Sequence, residues 1–258
     1  MTVNGLLVIW LLAAITMAVT WVVCMRAGNL GYVDVAWAGL MAAAALLAGA
    51  MGTGAEWPRG LTALFGSVWG TRLCLHLLHR VLHEAEDGRY RALRAAWQGS
   101  RLRLFVFFQV QAATVVLFAL PFVAASSQPD NRFDAWRMAA VVIWLLAVVG
   151  ESFADRQLAG FRAAPGNRGK TCRHGLWSWS RHPNYFFEWL HWFAYVMLAA
   201  GTPLFWASLV GPVLMFAFLY RVSGIPWTEA QALRSRGDDY RRYQREVSAF
   251  FPWPPRRP

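Results

Sequence analysis

Of the 258 residues, 57% are hydrophobic and only 15% are charged, with a mean hydropathy of +0.33. Soluble domains carry about 25% charged residues, so this composition excludes an ordinary cytosolic globule and a disordered chain alike. The 25 bases against 14 acids include a single lysine, Lys170. They fall between apolar stretches, so they read as charges that orient a membrane protein, and no nucleic-acid partner is expected. Heavy use of Arg and Ala suits a GC-rich, bacterial genome. Cys24, Cys74 and Cys172 are scattered and odd in number, giving neither a disulfide framework nor a metal pair.

In chain order, the first apolar run, 5–25, has no base before it and spans about 20 residues, which fits a membrane helix better than a cleaved leader. Further runs follow at 33–52, 60–79, 104–125, 136–154, 184–201 and 203–221, separated by Gly- and Pro-rich joints at 28–31, 52–58, 128–130 and 201–203. Twenty-one bases lie in the first, third and fifth connections and in the tail from Arg221 to Arg257. The other side holds only Arg59, Arg132 and Arg137, and Arg72 lies within a span. This alternation predicts an all-α integral membrane protein with seven transmembrane helices, N-terminus outside and C-terminus cytoplasmic. Residues 226–247 read as an additional C-terminal amphipathic helix, with Arg234, Arg241, Arg242 and Arg245 on its polar side.

An ionisable residue inside a span costs roughly 2.5–3.5 kcal/mol on insertion scales, so each one needs a reason. In the second span, Asp34 is either a proton donor or a structural partner of Arg72 or a histidine. The third span carries Arg72, His76, His79 and His83 at helical spacing. Six histidines in the whole chain are too few for a membrane metal oxygenase, which gathers many ligands from several helices, and no metal is expected. In the fifth, Glu151, Asp155 and Arg162 share a face if the helix continues past the span.

The sixth span is the richest. Arg181-His182-Pro183-Asn184-Tyr185 enters it, with Pro183 suited to a first helical turn. Asn184, Glu188, His191 and Tyr195 then follow at i, i+4, i+7 and i+11, on one face. The unpaired N–H groups of the helix start, beside Arg181 and near His182, form an anion site, although a polar stripe also glues membrane helices together. Carboxylates and arginines at this depth suit a nucleotide cofactor, the arginines for phosphate and the carboxylates for ribose hydroxyls or an amide.

Gly175-Leu176-Trp177, Ser180-Arg181-His182-Pro183-Asn184-Tyr185 with Glu188, and Ser223-Gly224-Ile225-Pro226 followed by Glu229, Tyr240, Tyr243 and Phe250-Phe251-Pro252 resemble the steroid 5-alpha-reductase-like membrane proteins. The likeness is greatest to their bacterial branch of the domain-of-unknown-function 1295 type. Tyr32, Asp34, Trp37, Trp69, Arg72 and Glu86-Asp87-Gly88-Arg89-Tyr90 fit that branch too. The resemblance covers nearly the whole chain as a single membrane domain, 1–258. It implies a substrate side in helices one to four, 1–126, and a cofactor-binding half, 136–258.

It further implies an NADPH-dependent oxidoreductase, with the cofactor bound from the cytoplasmic side of the plasma membrane. The reaction reduces a carbon–carbon double bond conjugated to a ketone in a steroid-like or other lipophilic substrate. Asp155, Arg162, Lys170, Trp177, Asn184, Tyr185, Glu188, Glu229 and Tyr240 fall on cofactor-contacting motif positions, and Arg162, Lys170 and Arg173 are the candidates for a 2′-phosphate. Steroid reductases of this family place a catalytic tyrosine in the third span, where this chain has Leu77, and a glutamate in the second, where it has Asp34; either Asp34 with His76 is the substitute pair or the substrate differs. Arg-His-Pro before an aromatic residue, a nearby Glu and a Tyr-rich basic tail also occur in isoprenylcysteine and phospholipid methyltransferases, which use S-adenosylmethionine. A non-catalytic membrane protein is the third reading.

Overall fold

The computed structural model describes residues 3–256, so Arg257, counted among the tail bases, lies outside the described residues. The chain is 77% helix, with no strands among the described residues, and an isolated bridge joins Ser180 to Ser248. The helices are α1 (Val3–Ala27), α2 (Tyr32–Met51), α3 (Glu56–His83), α4 (Gly88–Ala96), α5 (Arg101–Ala125), α6 (Ala135–Ala163), α7 (Pro183–Leu198), α8 (Phe205–Ser208), α9 (Val210–Ala217), α10 (Ile225–Arg236) and α11 (Asp238–Glu246). Among the described residues, six helical runs are long and apolar enough to cross a membrane. They are α1, α2, α3, α5, α6 and the broken run Phe205–Arg236. The chain is a multi-pass membrane protein.

The segment expected to span at 184–201 forms α7, which has only 16 residues. At 1.5 Å per residue it is about 24 Å long, short of the ~30 Å of hydrocarbon. It ends before Gly201, whose φ of +81° is left-handed. The amphipathic helix expected over 226–247 is two helices, α10 and α11, because Gly237 breaks the chain at φ +53°, ψ −123°. Helix α4 was not expected from hydropathy. It starts where the Asp87 side chain accepts the Arg89 N–H, an ordinary N-cap.

Two compact units are present, one formed by the chain up to Met138 with Tyr195–Gly211, the other by Ala139–Ala194 with the chain from Pro212 onward. In the first, α2 and α3 mesh through small residues. Gly66 faces the Ala45 methyl, Gly49 faces Ala63, and Gly70 lies on the backbone of Ala38 and Ala42. Such contacts let helix backbones approach closely and gain dispersion energy where lipid offers no hydrophobic drive. Helix α1 buries Ile9, Ala13 and Met17 and exposes Leu7, Leu11, Ile15 and Val19, the division expected of a helix with one face to lipid. At one end, the Gly54 N–H donates to Ser126 O and the Ala55 N–H to Gln128 O, while the Gln128 amide donates to Ala200 O.

In the second unit, α6 and α7 meet where the Phe187 ring covers Gly150, leaving no room for a Cβ. Phe186, Trp189, Phe216, Phe250 and Phe251 pack edge to face at centroid separations of 5.2–6.2 Å. The apolar run ends in a π turn, Phe218–Val222. Beyond it α10 and α11 enclose a small core of Ala232, Tyr240, Tyr243 and Val247.

Candidate functional site

Each unit builds one polar cluster. In the first, Asp34 stands in the opening turn of α2 and accepts the Tyr90 hydroxyl at 2.5 Å, with the Arg89 guanidinium 3.4 Å from its other oxygen. Arg89 also binds Asp87 at 3.1 Å, and Glu86 ties the cluster to α1–α2 by accepting the Leu30 N–H at 2.7 Å and Arg94 at 2.8 Å. Tyr90 is buried. Burial first, and then the Asp34 charge, hold its phenol well above its ordinary range, so it remains a proton donor at neutral pH.

The Asp34 partners are therefore Tyr90 and Arg89, not Arg72 or a histidine. His76, the expected second member of the pair, lies exposed on α3. On the same helix the His79 and His83 rings stack 4.2 Å apart. Among the described residues, no three His, Cys, Asp or Glu side chains converge as a metal set.

The second cluster surrounds the start of α7. Arg181 Nε donates to Glu229 Oε1 at 2.6 Å and its Nη1 to the carbonyls of Gln244 and Val247 at 3.0 and 2.6 Å. His182 Nε2 lies 3.3 Å from the same Glu229 oxygen, and the Gln244 amide donates to Oε2 at 2.7 Å. Ser180 Oγ donates to Phe250 O, so the Ser-Arg-His run pins the C-terminal helices onto the α7 start. The His182 ring stacks on Tyr185, 5.3 Å between centroids and 9° from parallel. Burial pushes the imidazole below its ordinary 6.5, against the pull of the Glu229 carboxylate.

The other expected cofactor residues divide into three groups. Asn184 donates its amide to Asp155 at 3.2 Å, and the Tyr185 hydroxyl meets Thr228 at 3.2 Å. Helix α6 does continue to Ala163, carrying Glu151, Asp155 and Arg162 together. Trp177, Glu188 and Tyr240 are buried. The Trp177 indole N–H is taken by Ala154 O, and the Tyr240 ring lies under Arg236 at 4.9 Å. Arg162 and Lys170 are exposed. Burial raises the Cys172 thiol, against the His174 backbone N–H and then the charges of Arg162 and Arg236, which lower it. Arg173, by contrast, is spent on Asp239 and Glu246.

Sequence reading gave no role to Tyr90, Arg89, Gln244 or Thr228. The only available signal for the first two was the Glu-Asp-Gly-Arg-Tyr run, whose partner Asp34 is 56 residues away.

The chain spans about half to two thirds of the length of the curated relatives it matches. An uncharacterized protein of Schizosaccharomyces pombe is 27% identical over 224 residues, 74% of this chain and 62% of that one. The methanethiol S-methyltransferase of Mycobacterium tuberculosis is 35% identical over 136 residues, 50% of this chain and 52% of that enzyme. No solved structure matches. The profile of the protein family of unknown function DUF1295 matches residues 20–247, and the chain belongs to that family, the steroid 5-alpha-reductase-like group to which its motifs pointed.

Proposed function

We propose that this is an NADPH-dependent membrane reductase acting on a double bond conjugated to a ketone in a lipophilic substrate, with its cofactor site on the cytoplasmic side. The observation that carries the reading is the hydrogen bond between Asp34 and Tyr90. The group's steroid reductases pair an acid of the second span with a tyrosine of the third. Here the third-span position is Leu77, and a buried phenol reaches the second-span acid from α4 instead. Tyr90 supplies the acid that polarises a carbonyl, Asp34 orients the phenol, and Arg89 holds the Asp34 charge in place.

The residues of the second cluster fit a phosphorylated nucleotide in part. Arg162 and Lys170 have no carboxylate partner among the described residues and suit phosphate, while Asp155 and Asn184, hydrogen-bonded to each other, would exchange that bond for one to ribose or carboxamide. Arg181 already has Nε and Nη1 engaged, so it supports the site's frame. NADPH, when bound, supplies the hydride.

A second reading is methyl transfer from S-adenosylmethionine, and the similarity to a methanethiol S-methyltransferase supports it. Isothermal titration of the purified protein with each cofactor separates the two. Binding of NADPH, with NADPH oxidation on adding lipid enones, supports reduction. Binding of S-adenosylmethionine alone overturns it in favour of methyl transfer, and binding of neither leaves a non-catalytic membrane protein.

A further inference from the structure

Helix α11 reads Asp-Asp-Tyr-Arg-Arg-Tyr-Gln-Arg-Glu, three acids and three arginines, formally neutral. Folding separates the signs. Asp239 and Glu246 turn to Arg173 at 3.2 and 2.6 Å, and Asp239 also accepts the Thr171 N–H at 2.8 Å. Tyr240 and Tyr243 fill the core. The exposed remainder is Arg241, Arg242 and Arg245 with one acid, Asp238. The Asp238–Arg241 pair is open to solvent on both sides, where such pairs contribute little.

The tail then returns to the end of this helix. The Arg256 N–H donates to Glu246 O, at the end of α11, and the Trp253 N–H to Trp179 O; Trp179, Phe251 and Trp253 are exposed rings on this tail and the loop that holds it. Arginines attract an anionic surface, and large amphipathic rings settle at the headgroup level of a bilayer. An acidic soluble partner would use the arginines but has no need of three exposed rings. The adjoining helical run, Phe205–Arg236, is itself long and apolar enough to cross a membrane.

We propose that the outward face of α11 and the returning tail form a docking surface for anionic phospholipid headgroups, whichever cofactor the enzyme uses. The test is hydrogen exchange of the full chain in nanodiscs of phosphatidylcholine alone or mixed equally with phosphatidylglycerol. Each arginine near an anionic surface favours association by about fivefold, so the peptides covering α11 and 249–256 should gain roughly tenfold protection or more with phosphatidylglycerol. High salt should remove the gain. The triple variant R241Q/R242Q/R245Q should lose it too, with α2 and α3 unchanged. Equal protection in both discs overturns the proposal, as does a gain that survives the triple substitution. Poly-glutamate protecting the segment as well as lipid does, in phosphatidylcholine discs, overturns it in favour of an acidic protein partner. If the triple variant fails to fold, the salt titration of the unaltered chain remains decisive.

Discussion

Replacing Glu229 by alanine removes the carboxylate on which three side chains converge. Arg181 and Glu229 are only 11% and 14% exposed, so water does not substitute freely for the lost acceptor. Removing one partner of a buried ion pair costs about 3–5 kcal/mol. Arg181 keeps two backbone carbonyls through Nη1, which places the expected loss near the lower figure, about 3 kcal/mol. For a chain of this size, 1 kcal/mol moves the melting temperature by about 2–4 °C, so Glu229→Ala should melt roughly 6–12 °C lower in detergent micelles. Glu229→Gln keeps the shape and one acceptor and should lose about half as much. Glu84→Ala, at an exposed position, is the control and should stay within about 0.5 kcal/mol. Hydrogen exchange should locate the loosening in α10, α11 and the α7 start. Were Glu229→Ala to melt within 2 °C of the parent, the ion pair would not hold these helices and the account of the Ser-Arg-His run would be wrong.

Other outcomes follow from the same geometry. Because the folded-state pKa of His182 lies below 6.5, the unfolded chain takes up the proton first. Its contribution is complete above pH 6.5 and is lost as pH falls below that value, by up to about 1.4 kcal/mol per pH unit; thermal melts from pH 7.5 to 5 should be flatter for His182→Asn than for the parent, and parallel curves would refute this. At Gly70 a Cβ would stand 2.8 Å from Ala42 N and 3.0 Å from Ala38 O, both backbone, whereas at Gly60 nothing lies within 4 Å. Gly70→Ala should therefore cost about 1–3 kcal/mol in denaturant titration and Gly60→Ala far less. Under the reductase reading, Tyr90→Phe should lower turnover by about 10²-fold or more while NADPH affinity stays within twofold; unchanged turnover would remove Tyr90 from the chemistry.

Hydropathy made the long apolar helices legible, because lipid imposes a minimum length and forbids exposed polar backbone. The same logic carried the sixth run to Gly201, whereas α7 ends at Leu198 and the apolar Ala199 and Ala200 lead into the left-handed turn at Gly201. The break between α10 and α11 does have a sequence signal, since Gly237 followed by two aspartates is a helix stop joined to a helix start. The side-chain partnerships could not be read in this way. Arg181 and Glu229 are 48 residues apart, and Asp34 and Tyr90 are 56. Periodicity within one helix says which face a residue takes, not which distant group meets it. For that reason Arg181 looked like a phosphate ligand in the sequence and turns out to bind the chain's own carboxylate and carbonyls.

The stitching of residues 180–181 to 244–250 makes that C-terminal stretch part of the foundation rather than a loose extension. Shortening the chain at Gly237 would strip Arg181 of both carbonyl acceptors, Ser180 of Phe250 O, and Glu229 of the Gln244 amide at one stroke.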